Sequence, residues 1–164
     1  MKKINNKINN KLFSIVSYLI NNHKITEPVK LQKVLYFLYL DYLKQYDEKL
    51  FEDEFEAWVY GPVLRKVYYH LRYVGINFDE YENFKENKYI YTKIAPLEDK
   101  KIIKFIDEKI EKYKNKDTFV LVEEAHNTEP WINARKGLER HETSREKIKF
   151  SDMEKFVKNE SNSW

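Results

Sequence analysis

Apolar residues crowd into one stretch of the chain, Lys30 to Leu43, reading KLQKVLYFLYLDYL. Within it Leu31, Val34, Leu35, Leu38 and Tyr42 recur at helical spacing and so share one face of an α-helix. Tyr36, Phe37, Tyr39, Leu40 and Leu43 fill the remaining faces, which predicts a helix surrounded by neighbours rather than one lying at the surface. Thr26-Glu27-Pro28 opens it: Thr26 can cap, Glu27 suits the positive end of the helix dipole, and Pro28 is tolerated in the first turn. The helix is expected to end near Gln45. Upstream, Leu12, Ile15, Val16, Leu19 and Ile20 make an amphipathic helix ending near Asn21-Asn22. The Asn- and Lys-rich residues 1–11 are expected to fray.

Downstream the period changes. Phe55 to Tyr60 (FEAWVY) alternates as a strand does, with Phe55, Ala57 and Val59 on one face and Glu56, Trp58 and Tyr60 on the other. Gly61-Pro62 should stop it, and Pro62 should start a helix whose inward stripe is Val63, Val67, Leu71 and Val74, closed by Gly75. Tyr89 to Ile94 reads as a second strand, able to pair with the first. Glu98 to about Tyr113 is a helix with Ile103, Ile106 and Ile110 inward. Asp117 or Thr118 caps a helix through His126. Thr128-Glu129-Pro130 opens another, with Trp131 in its first turn and Gly137 near its end. Leu138 to Lys149 reads as a polar loop. Ser151 to Glu154 (SDME) forms a capping box for a last helix docked by Met153, Phe156 and Val157, and 159–164 should fray. The pattern predicts one domain over 1–164, predominantly helical α+β: a central buried helix with a small antiparallel sheet packed on a helical bundle.

Composition narrows the chemistry. The 164 residues contain no Cys, which removes disulfides and thiolate metal sites. The longest greasy run, Val34 to Leu40, is short of the ~20 residues a membrane-spanning helix needs, and the N-terminal segment lacks a signal-peptide cleavage pattern. A cytoplasmic protein with no membrane partner is expected. The net charge is +3, from 30 basic and 27 acidic residues of interspersed sign. With three Gly in the chain there is no phosphate-cradling loop. Glu123 and His126 form a single E-x-x-H, half of what a di-iron bundle uses, and the four His are otherwise scattered. A His126 hydrogen-bonded near its helix end is the preferred reading. The expectation is no metal, no cofactor and no catalysis.

Two features could carry binding. Arg135, Lys136, Arg140, Arg145, Lys147 and Lys149 make a basic stretch over 135–149, which offers an alternative reading as a nucleic-acid-binding regulator. Glu139, Glu142 and Glu146 are interleaved and dilute its field, so nucleic acid is not the expected partner. Trp58, Tyr60 and Trp131 are large aromatics at element edges, positions that serve either a core or a partner groove.

Three stretches, in this order and spacing, resemble the Panacea domain, the SocA-type antitoxin domain of bacterial and phage toxin–antitoxin systems. They are KLQKVLYFLYLDYL (30–43), FEAWVYGPVLRKVYYHL (55–71), with A-W-x-Y-G-P-V its most specific part, and LVEEAHNTEPWINARKG (121–137). The resemblance extends from about Leu12 to Val157. It implies an antitoxin that neutralises a cognate toxin by direct protein–protein contact, with a role as proteolytic adaptor, and hence a protease or chaperone as a further partner, within the family's range. Motif residues Leu31, Lys33, Leu35, Tyr36, Ala57, Trp58, Gly61, Pro62 and Val63 are read as structural. Tyr60, His126, Trp131 and Arg135 are the expected partner-binding residues.

Overall fold

The computed structural model describes residues 10–73 and 94–159. Among them lie seven α-helices and one two-stranded sheet, the predominantly helical α+β arrangement expected. Helix α1 (Lys11–His23) starts at Asn10, whose side chain accepts from the Phe13 amide at 3.1 Å. Helix α2 (Pro28–Tyr46) is the stretch that the hydrophobic pattern singles out. Every residue from Leu31 to Leu43 is buried. It packs against α1, the second strand and three helices that follow. Its N-cap is Glu27 rather than Thr26, and no side chain caps it. Glu27 instead accepts a hydrogen bond from the Thr118 hydroxyl at 2.5 Å, tying the start of α2 to the start of a later helix.

Around α2 the aromatics pack edge to face. Phe55 meets Tyr36 at 5.3 Å and Tyr39 at 5.6 Å, and Phe105 meets Tyr42 at 5.0 Å. Such pairs add to their area burial because ring edges and faces carry opposite charge. Asp41, buried on the same helix, receives a hydrogen bond from the Tyr113 hydroxyl and pairs with Lys112 Nζ at 3.0 Å.

The sheet departs from expectation. Strand β1 (Glu56–Trp58) turns at Val59-Tyr60 and pairs antiparallel with β2 (Gly61–Val63), so Gly61-Pro62 is the return strand rather than a stop, and the next helix starts later. Pro62 fits because its partner Ala57 faces the opposite way: the Ala57 amide donates to Glu146 O at 2.8 Å. No ladder bond is lost to the missing N–H. Residues 146–148 thus lie along the far edge of β1, with an isolated bridge between Glu56 and Lys147. The polar loop over Leu138–Lys149 therefore ends in a strand-like contact. The expected strand Tyr89–Ile94 lies outside the described residues except for Ile94, as do Val74 and Gly75.

Helix α3 (Arg65–Tyr73) buries Val67 and Leu71 as expected. Helix α4 (Lys100–Lys109) is capped by Asp99 and runs into a 3-10 turn, Ile110–Lys112. Its inward stripe is Ile102, Phe105, Ile106 and Ile110, with Ile103 only half-buried. The larger Phe105 takes the central place, rotating the stripe by one position. Helix α5 (Thr118–His126) is capped by Asp117, α6 (Glu129–Ala134) begins after Thr128, and α7 (Phe150–Asn159) starts one residue ahead of Ser151. No helix among the described residues is long and apolar enough to cross a membrane.

Candidate functional site

The hairpin β1–β2 stands between two differently built surroundings. One of them is a corner made by α5 and α6. Here the His126 ring stacks on Trp131, with centroids 4.4 Å apart and planes at 22°. The Arg135 guanidinium lies over the same indole at 5.3 Å, within cation–π range. Trp131 Nε1 donates to Trp58 O at 2.9 Å. The corner reaches α2 as well: Thr128 Oγ1 donates to Ala125 O at 2.7 Å and so accepts from the Tyr36 hydroxyl at 2.8 Å.

Arg135 is buried, and its guanidinium is spent on backbone carbonyls. Nη1 donates to Ala57 O at 2.9 Å, and Nη2 donates to Glu142 O at 2.6 Å and Glu139 O at 3.3 Å. One side chain thus fastens β1 to the loop after α6, using the fork geometry peculiar to arginine. Burial lowers the pKa of His126, and the nearby positive charges of Lys33, Arg140 and Arg135 act the same way; a hydrogen bond with the Val59 backbone opposes them in part. Its Nε2 is buried and has no partner among the described residues. Glu123 is exposed, and no group of three or more His, Asp or Glu among the described residues is placed to hold a metal ion.

The hairpin also lines a groove of about 800 Å³. The first turns of α2 supply Pro28, Val29, Leu31, Gln32 and Lys33. The hairpin supplies Trp58, Val59, Tyr60 and Val63, and α3 supplies Tyr68, Tyr69 and Leu71. Thr143 to Arg145 close the remaining edge. Tyr60, at the hairpin turn, is 72% exposed, and Tyr69 and Val29 are exposed as well. The Trp58 and Tyr68 rings meet at 5.1 Å, and Tyr68 meets Tyr69 at 5.1 Å and 90°. The aromatic wall is therefore ordered by its own contacts. Gln32 holds α3 in place: its side-chain amide donates to Leu64 O at 3.3 Å and accepts from Leu64 N at 2.9 Å.

Beneath the hairpin runs Lys33, 1% exposed. Its Nζ donates to Pro62 O at 3.1 Å, and burial lowers its pKa from 10.5 to about 7. Gly61 makes room for it. A Cβ at Gly61 would come 2.8 Å from Lys33 Cε, and the backbone there has φ +113°, a conformation that side-chain-bearing residues rarely adopt. The Gly61-Pro62 pair of the motif and the lysine two residues after Leu31 are thus one device.

Of the four residues that the sequence marks for partner binding, the structure gathers His126, Trp131 and Arg135 into the corner and sets Tyr60 in the groove. Tyr68, Tyr69 and Gln32 also belong to the groove, and the sequence pattern does not single them out; Arg145, from the basic stretch 135–149, lies at its edge. A double tyrosine beside the inward Val67 and Leu71 was the available signal, since it puts amphipathic rings next to the buried stripe.

Residues 31–132 match the family model described as antitoxin SocA-like, Panacea domain. The match opens in the first turns of α2 and closes on α6, and so takes in the groove's aromatic wall and most of the corner. No curated protein and no solved structure matches the chain.

Proposed function

The chain belongs to the family of SocA-like antitoxins with a Panacea domain, and from that premise we propose that it neutralises a partner toxin by direct protein–protein binding. The observation that carries this reading is the family match, which covers more than half of the chain. The groove between α2, the hairpin and α3 supports a location. It is concave, mostly apolar, and presents Tyr60 and Tyr69 to solvent, and tyrosine and tryptophan are the side chains that most often anchor a partner. In this reading Tyr60 touches the toxin. His126, Trp131 and Arg135 fix the hairpin that carries it.

Co-expression with the product of the neighbouring gene, as a candidate toxin, tests the reading. Growth is expected to be restored, and the two proteins are expected to co-purify as a stoichiometric complex. Continued toxicity with no complex would refute it. Delivery of the toxin to a protease is a finer variant of the same role. Rescue that disappears in a protease-deficient host, with binding intact, would favour that variant; rescue that persists there would favour steric neutralisation.

A further inference from the structure

Four charged side chains are buried among the described residues, and three of them are well answered. Asp41 has Lys112 and Tyr113; Glu56 has Arg65 at 2.9 Å and Trp58 Nε1 at 3.0 Å; Arg135 has three carbonyls. Lys33 differs. An ammonium has three N–H donors, and among the described residues a single carbonyl, that of Pro62, accepts from it. Its depressed basicity comes from burial alone, with no carboxylate among the described residues acting on it. A buried charge without a counter-charge is costly, and that cost is relieved by an anion that arrives.

The groove that Lys33 lines has the matching bias. Lys33 and Arg145 stand among its lining residues and no Asp or Glu does, although acids supply 27 of the 164 residues. Resting on the toxin-binding reading above, we propose that the groove takes an apolar, aromatic-bearing segment of the toxin that carries a carboxylate, and that this carboxylate pairs with Lys33. The Trp58–Tyr68–Tyr69 wall would cover the apolar part and exclude water from the ion pair, which strengthens it. Gly61 and the Pro62 carbonyl hold the lysine stem and ammonium in place before the partner arrives, so little ordering is left to the binding step.

The pairing has a consequence for pH. With the free lysine held at about 7, a bound carboxylate favours the charged form, so binding takes up a proton above that pH and affinity falls as pH rises. The Lys33 ammonium acts electrostatically on His126 on α5, and Tyr68, Tyr69 and Arg145 share the groove. A Lys33→Met comparison separates the lysine from all of these.

The test measures toxin affinity for the chain and for Lys33→Met from about pH 6 to about pH 9, with Lys33→Gln as a second neutral variant that keeps a donor for Pro62. The wild type is expected to lose affinity as pH rises, by at most about tenfold per unit. Lys33→Met should bind about tenfold or more weakly at the acid end and show no such slope. Equal affinity and an equal slope in both variants would overturn the proposal, and restored growth in the same strains would leave the antitoxin reading standing. A random dodecapeptide display library panned on the purified chain gives an arm that needs no toxin. Peptides joining aromatic residues to Asp or Glu should be retained by the wild type and lost on Lys33→Met. Enrichment without acidic residues, or none above the variant, would overturn the proposal whatever co-expression shows.

Discussion

Lys33 shows at the scale of one residue what a buried cation costs this fold. Its folded pKa lies below its unfolded value, so between about 7 and 10.5 the unfolded chain binds more protons, and stability contributed at this position rises with pH. Below about 7 the burial penalty is fully present. Lys33→Met should therefore stabilise the protein by ~1–4 kcal/mol at acid and neutral pH, with the gain shrinking toward pH 10.5. Denaturant midpoints at several pH values check this, and a loss of stability at neutral pH would contradict it. Leu35, fully buried in the same helix, marks the opposite case. Leu35→Ala should cost ~2–5 kcal/mol, read as a lowered denaturation midpoint, because the surrounding rings leave little room to collapse onto the cavity. The periodicity of α2 made Leu35 legible as core. It could not reveal Lys33 as a buried cation, since hydropathy places lysine at the surface. Only the hairpin folding over it, through the glycine that spares it a Cβ, takes it out of water.

At the scale of elements, the hairpin is held from outside rather than by its own ladder, which is three residue pairs long. Arg135 joins β1 to the loop at Glu139–Glu142, and Trp131 joins it to α6. Arg135→Met should cost ~2–4 kcal/mol, since it leaves buried carbonyls without donors. It should also raise amide exchange at Ala57 and Ile148, whose N–H groups bind across the same edge. A change confined to exposed residues would argue against the clamp. His126, neutral in its corner, adds an acid limit. Its folded pKa is depressed chiefly by burial, so stability present above about 6.5 is lost as pH falls below that value. Substituting His126→Gln should flatten this decline in part. His70, also lowered by burial and stacked on Phe13 at 4.5 Å, keeps the remainder. An unchanged acid slope in melting curves would contradict the assignment. The strand Glu56–Trp58 was legible in its alternation. Its partners were not: Gly61-Pro62 carries the residues that usually end a strand, and Glu146-Lys147 is too polar to look like one.

Across the whole molecule, the order of helices and the central place of α2 followed from apolar spacing, because a helix buried on all sides has few other arrangements. The groove did not follow, since four separate segments contribute to it and no one of them is unusual alone. The resemblance motifs cover three of its pieces, on α2, the hairpin and α3, and not Thr143–Arg145. Their assembly into a concave aromatic wall beside a corner of stacked rings is visible only in three dimensions. An exposed ring that is not among the groove's lining residues provides a control. Phe119 on α5 is 76% exposed and lies outside the groove, so its removal tests whether any exposed ring would serve. The most direct measurement is the affinity of the cognate toxin for the chain, for a Tyr60→Ala, Tyr69→Ala double variant and for Phe119→Ala, each confirmed as folded. The double variant should bind at least about tenfold more weakly, in line with loss of anchoring aromatics, while Phe119→Ala binds as the wild type does. Unchanged affinity in the double variant, or a loss in Phe119→Ala alone, would contradict the placing of the toxin in the groove.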